Sequence, residues 1–377
     1  MRLALRELRR RPGRFATATV ILTLIAALLM LLGGLLDGLL RGATSAVLAQ
    51  PGQLIVYSST SEDSFPRSRI DAATAATVAD SQGVASSGGL GVVQLGARQP
   101  GGDDRDLIDV VVIGSELGLP WTGGERPDEP GPGEGVADAT LRAEGLSEGD
   151  TIEVGPARTP IRIVGFLDDE LEYSGQGTVW TDLATWRQAL NENRPGAGVG
   201  DDVVQAMVID IGSNDVTPEA LAADIDRSTD GATSTLTLDE AANAIGGVEQ
   251  QRSTFNQIIG VTIVIAVIVV ALFFVLLTVE RIAMYGVLKA IGARTRTLLA
   301  GVVLQAIVVT LIASALGAAL GLVLDAVIPV GSIPFTLGLG RILSSVVLLL
   351  VAACLGSAFS LRRVLRIDPA EAIGRGA

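Results

Sequence analysis

The sequence contains no histidine and a single cysteine, Cys354. Ser-His-Asp and Cys-His nucleophile arrangements are therefore excluded, as is every histidine-containing metal motif. One cysteine builds neither a zinc cage nor an internal disulfide. Lysine is almost as scarce. The only one, Lys289, follows Leu288, so the Gly-Lys-Ser/Thr phosphate loop cannot be formed. A protein with this sequence that works by ATP needs another polypeptide to hydrolyse it.

Charge is missing from four long stretches. Residues 15–36, 258–279, 298–324 and 342–361 carry none, and the mean hydropathy of the chain is +0.48. At about 1.5 Å per residue, each stretch is long enough to cross a hydrocarbon core of about 30 Å. Buried soluble helices of that length would show a polar face. The expectation is a membrane α-helical protein with four transmembrane helices (15–40, 258–279, 298–324 and 342–361) and an inserted α+β extracytoplasmic domain. The first stretch is read as a retained span and not a cleaved leader, because Asp37 and Arg41 separate it from the small-residue pattern Val47-Leu48-Ala49.

Charge of one sign is also unevenly placed. Segments 1–14, 280–297 and 362–377 hold 14 basic against 4 acidic residues, a net of +10. The remainder holds 14 basic against 37 acidic residues, a net of −23, which together give −13. Basic residues flanking membrane spans stay in the cytosol. Both termini and the 280–297 connection are therefore expected inside the plasma membrane, with the acidic domain outside. No basic footprint for nucleic acid remains there.

The periodicities divide the chain further. Residues 1–14 read as a cytosolic amphipathic helix. The extracytoplasmic domain is placed at 41–237, with strands at 53–59, 107–115 and 205–212, a helix at 70–80, and a strand-helix stretch at 178–190. Residues 126–135 read as a Pro/Gly linker and about 136–169 as a small β-rich subdomain. From 238 to 257 a helical pattern runs into the second span, read as a stalk helix continuous with it. Residues 325–341 are a short outer loop and 362–377 a cytosolic tail. Acid pairs such as Asp103-Asp104, Asp168-Asp169 and Asp201-Asp202 lack the glycine-centred spacing of a calcium loop and read as solvated turns.

The connection at 280–297 is more than a loop. At 100° per residue, Arg281, Tyr285 and Lys289 share one stripe opposite Ile282, Gly286, Val287 and Ala290. Gly292 suits the left-handed conformation that ends a helix. The stretch "GVLKAIGA" followed by basic residues, together with "LSEGDTIEV…IRIVGFLDD" and the ending "RRVLRIDPAEAI", resembles the FtsX/MacB-type permeases of ABC transporters. One span before a large external domain and three after it extend the resemblance along the chain.

That resemblance implies a non-catalytic permease working as a homodimer with two cytosolic ABC ATPase subunits. The expected docking elbow is Arg281, Tyr285, Lys289, Gly292 and Arg294. Domain size is most like the DevC/HrtB branch, which includes haem exporters of Gram-positive bacteria. On that reading haem, or another hydrophobic compound, is cargo and no intrinsic cofactor is needed. Glu249, Arg252, Phe255 and Asn256 mark the outer mouth of the second span as the candidate cargo site, with Glu249 as a haem-iron ligand. Tyr57, Tyr173, Tyr285, Met30 and Met207 are further ligand candidates. The alternatives are export of lipid, lipoprotein or peptide, and an FtsX-like signalling device that activates a cell-wall hydrolase.

Overall fold

The computed structural model describes residues 12–99, 102, 106–120, 127–212, 216–279, 295–327 and 333–364. The N-terminal segment 1–11 and the elbow at 280–294 lie outside the described residues, as do Arg281, Tyr285, Lys289, Gly292 and Arg294. The chain divides into two compact units, with boundaries at Gly38/Leu39 and Gln251/Arg252.

The first unit is helical. Its long helices are α1 (Pro12–Leu48), whose last residues belong to the second unit, α7 (Val248–Val279), α8 (Thr295–Val327) and α9 (Leu339–Val364). All four are long and apolar enough to cross a membrane. Their seams are built from small residues. On α8, Val302, Ala306, Val309 and Ala313 recur at helical spacing and pack with Leu22 of α1, Val270 of α7 and Ala353 of α9. Lipid is as apolar as these side chains, so close backbone approach and dispersion hold such helices together. Helix α9 starts at Leu339, ahead of the expected 342, and takes Arg341 into its first turn.

The second unit, residues 39–251, is α+β. Its strands are β1 (Leu54–Ser58), β2 (Ile70–Asp71), β3 (Val84–Arg98), β4 (Leu107–Ser115), β5 (Glu134–Ala137), β6 (Thr151–Val154), β7 (Thr159–Phe166), β8 (Gly177–Thr181), β9 (Val203–Val204), β10 (Ala206–Ile211) and β11 (Thr233–Thr237). Nine of them form one sheet in the order β11-β1-β10-β3-β4-β8-β5-β7-β6. The additional pairing of β3 with β6, Ala97 opposite Val154, closes β3, β4, β8, β5, β7 and β6 into a ring. The segment 136–169 is therefore no separate subdomain: its strands complete the main sheet.

The 15-residue β3 serves both halves. Its first part pairs with β10 in the open sheet and its second part with β4 and β6 in the ring. Along β4, Val110 and Val112 enter one core while Val111 and Ile113 enter another, as the two faces of a strand buried on both sides require. Each such side chain contributes about 1.5–3 kcal/mol on burial.

The remaining helices are short: α2 (Ala72–Ala79), α3 (Ala139–Ala143), α4 (Leu183–Asn193), α5 (Pro218–Ser228) and α6 (Leu238–Ala244). Side chains cap them as their sequences require. Asp71, Asp138, Asp182, Thr217 and Thr237 each accept from a backbone N–H in the first turn. Helix α2 and helix α5 cover one face of the open sheet, where Val78, Leu221 and Ile225 meet Leu54, Val56 and Ile209.

The expected stalk helix is broken. Helix α6 stops at Ala244, and α7 begins at Val248. Between them Gly247 has φ +90°, a conformation that L side chains avoid. Apolar periodicity continues across the gap, but the backbone does not.

Candidate functional site

Of the expected cargo residues, Glu249, Arg252 and Asn256 are exposed on α7 and Phe255 is half-buried. Their spacing places Glu249, Arg252 and Asn256 along one side of that helix. The other ligand candidates within the described residues are enclosed. Tyr57 and Met30 are fully buried, Met207 nearly so, and Tyr173 is 8% exposed. Tyr285 lies outside the described residues.

Tyr57, Phe65 and Tyr173 form a column of edge-on rings, with centroids 5.0 and 6.0 Å apart. Burial is the main cause raising the Tyr57 phenol well above its ordinary range, with Tyr173 and Asp63 adding to it. Burial also pushes Tyr173 up to about 12, so its hydroxyl stays protonated and available as a donor.

Tyr173 sits in a turn that is bonded to the end of α1. Ala46 N–H donates to the Glu172 carbonyl at 3.0 Å, Ser174 N–H to the Ala43 carbonyl at 3.0 Å, and Gly175 N–H to the Gly42 carbonyl at 2.8 Å. The Glu172 N–H donates to Ser45 Oγ at 2.9 Å. Behind this turn lies Asp138, which is fully buried. Its carboxylate accepts from Leu141 N–H at 3.2 Å and from Leu171 N–H at 3.1 Å. Burial outweighs these bonds and pushes Asp138 up to about 7. Glu172 is raised as well, by burial first and then by Glu170 and Glu144.

Beside the turn is a cavity of about 240 Å³, lined by Arg69, Arg194, Gln205, Tyr173 and apolar side chains including Val92 and Ile245. Arg69 directly precedes β2. It donates through Nη1 to the Pro66 and Ser68 carbonyls (3.1 and 2.6 Å) and through Nη2 to the Ala197 carbonyl (2.8 Å). Arg194 ends α4 and donates through Nη2 to the Gln94 carbonyl at 2.7 Å. Gln205, 2% exposed, accepts the Val92 N–H at 2.7 Å. The wall continues through Ile245 and Gly246, which also line a neighbouring cavity of about 250 Å³ with Ala43 and Ser174. The break before α7 thus faces both spaces. Sequence reasoning missed Arg69, Arg194 and Gln205, because isolated arginines between turns look like solvated surface until the topology brings them together.

Comparison with known proteins places these observations. Residues 256–369 match the FtsX-like permease C-terminal family. A Staphylococcus epidermidis protein described as a hemin transport system permease, HrtB, is 25% identical over 237 residues, which are 63% of this chain and 62% of that protein. The chain thus spans less than two thirds of that relative's length. An uncharacterized ABC transporter permease of Mycobacterium tuberculosis is 27% identical over 378 residues, 98% of each chain. Among solved structures, the periplasmic region of MacB from Actinobacillus actinomycetemcomitans aligns with 52% of this chain and 92% of its own, at 11% identity and a TM-score of 0.36. The extracellular domain of YknZ from Gram-positive bacteria aligns with 49% of this chain and 98% of its own, at 13% identity and a TM-score of 0.32. The last three of the four apolar helices thus lie largely within the stretch that matches the FtsX-like permease C-terminal family, and the chain as a whole is similar to a protein described as an ABC transporter permease.

Proposed function

We propose that the chain is the non-catalytic membrane subunit of an ATP-driven exporter and is moved by a separate cytosolic ATPase. The observation that carries this reading is the family match at 256–369, which includes the whole 280–294 connection. The geometry of the external unit agrees with mechanical work. One membrane-helix connection is bonded to the domain at residues 42–46, while the other passes through a glycine break at 246–247. The charge distribution supports a placement in the plasma membrane with both termini and the elbow inside, and the family resemblance implies a homodimer.

Haem is the cargo we favour, since the hemin-transport assignment of a relative joins a candidate site that is exposed on α7. Glu249 would offer the iron a carboxylate, Arg252 would pair with a propionate, and Phe255 would meet the porphyrin face.

Co-expression with candidate ABC ATPases tests the class. A stable complex with nucleotide-dependent activity is expected, and Gly292→Val should uncouple hydrolysis while leaving membrane insertion intact. Full coupled activity in that variant would reduce the elbow to a loop. For the cargo, hemin added to the intact complex should shift its Soret band, with a weaker shift in Glu249→Ala. An unchanged spectrum would remove haem, and capture of a cell-wall hydrolase by the complex would favour signalling over export.

A further inference from the structure

The arginine-lined cavity has a chemistry of its own. Among its described lining residues none is acidic, although the chain outside its cytosolic segments carries a net charge of −23. Two arginines therefore line one small space, and neither has a carboxylate partner among the described residues. Arg69 is half-buried and bonded only to carbonyl oxygens, and burial pulls it below its ordinary value. A charge held this way is poorly compensated, and an anion would relieve it.

The other polar groups point the same way. The Val92 N–H can only donate, so the Gln205 atom it meets is the carbonyl oxygen, and the group Gln205 offers to the cavity is its NH2. Tyr173 supplies a protonated hydroxyl. Donor-bearing side chains from four separate segments thus line one space. Ala197, whose carbonyl receives Arg69, stands in the same short turn as Arg194 (Ala197 N–H donates to the Arg194 carbonyl at 2.9 Å), which fixes the two arginines relative to each other.

Size limits the occupant. At about 240 Å³ the cavity is smaller than the roughly 300–1,000 Å³ of sites that enclose a whole drug-sized ligand. It has room for a headgroup or a small anion, and a porphyrin would exceed it.

We propose that this cavity is an oxyanion site, which takes a phosphate group through Arg69, Arg194, the Gln205 amide and the Tyr173 hydroxyl. The occupant also touches Ile245 and Gly246, so its binding restrains the glycine break that leads into α7. The site belongs to the external unit alone and depends on neither the ATPase nor the haem assignment.

The test uses the full-length protein in a nonionic detergent, titrated calorimetrically with inorganic phosphate and, separately, with dihexanoyl phosphatidylglycerol. Dihexanoyl phosphatidylcholine serves as the zwitterionic control. Saturable binding of at least one anionic probe is expected, weakened tenfold or more in Arg194→Gln and lost in the double variant Arg69→Gln/Arg194→Gln. Phosphate binding as tightly as the anionic lipid would assign a free oxyanion, and tighter lipid binding would assign a headgroup. Arg69 also ties three carbonyls, so the double variant alone could fail by misfolding. Arg194 is exposed and makes one such bond, which keeps the single variant decisive. Absence of saturable binding to both anions, wild-type affinity in Arg194→Gln, or equal binding of the zwitterion would each overturn the proposal. A null result here leaves the permease reading untouched, because neither ATPase nor haem is present.

Discussion

Arg341 holds Asp37 in a two-pronged grip. Its Nε–H donates to Asp37 Oδ2 at 2.8 Å and its Nη2 donates to Oδ1, joining α9 to α1 across 304 positions of sequence. Opposite charges inside apolar spans are tolerated when paired in this way, and the planar guanidinium matches both carboxylate oxygens. Around the pair, the Thr336 N–H donates to the Gly34 carbonyl at 3.1 Å and Phe335 packs on Met30.

Arg341→Met should lower stability by about 1.5–3 kcal/mol, the range for hydrogen bonds to charged groups. The loss of about 3–5 kcal/mol seen for breaking fully buried pairs is too large here, because the two side chains remain 24% and 34% exposed. Thermal unfolding in detergent checks this. Asp37→Asn, which keeps an acceptor, should cost less, and equal losses in both variants would argue against the fork.

Two helical glycines should respond oppositely to alanine. A Cβ on Gly38 would lie 2.2 Å from the Pro334 carbonyl oxygen, a backbone atom that cannot turn away. A Cβ on Gly260 would meet nothing within 4 Å. Gly38→Ala should therefore lower the melting temperature, while Gly260→Ala should be neutral or add up to about 1 kcal/mol from helix propensity. A neutral Gly38→Ala would show that the 334–335 backbone is free to move off α1.

Asp138 gives the external unit a pH dependence. Its folded value is raised from 3.8 to about 7, so the folded state binds the proton more tightly than the unfolded chain. That contribution is complete below about pH 4 and is lost as pH rises through about 7. Glu172 shifts in the same direction. The unit should be more stable at about pH 5 than at about pH 8, by an amount on the order of a few kcal/mol. Fluorescence of the buried Trp180 and Trp186 in the full-length protein reports the transition. The slope should shrink in Asp138→Asn without vanishing, and a flat wild-type profile would contradict it.

At the break before α7, Gly247→Ala forces a side chain into φ +90° and should cost about 1–2 kcal/mol. Gly246 also has open space where a Cβ would stand, and no positive φ. Gly246→Ala should be nearly silent in the same unfolding assay. Equal effects at the two positions would mean that the positive φ at Gly247 carries no cost of its own.

The membrane helices were legible because a charge-free apolar run of about 20 residues is suited to little besides crossing a bilayer. The external domain was legible only where local pattern decides. The strand at 107–115 and the strand-helix at 178–190 appear as β4 and as β8 followed by α4. Strand β3 was missed, since Val84-Ala85-Ser86-Ser87-Gly88-Gly89 carries turn-like residues and is held by pairing with β10, which comes far later in the chain. The stalk was overextended for the converse reason. Periodicity survives Gly246-Gly247, while φ is invisible in it. Arg69 and Arg194 needed the fold to meet at all.

The order of the strands has a consequence for how the protein is made. Strand β1 leaves the ribosome early, yet both of its neighbours come late: Leu54 pairs with Ile209 on one side and Thr237 on the other. The whole stretch from 59 to 205 must be synthesised before either edge of β1 is covered. Until then an apolar segment with both backbone edges unsatisfied is exposed just after the first apolar span, the kind of edge that invites pairing with another chain. Assembly of the open sheet is therefore a late, slow, long-range event. Anything that shields newly made β1 should govern the yield of folded protein more than the stability of the finished sheet does.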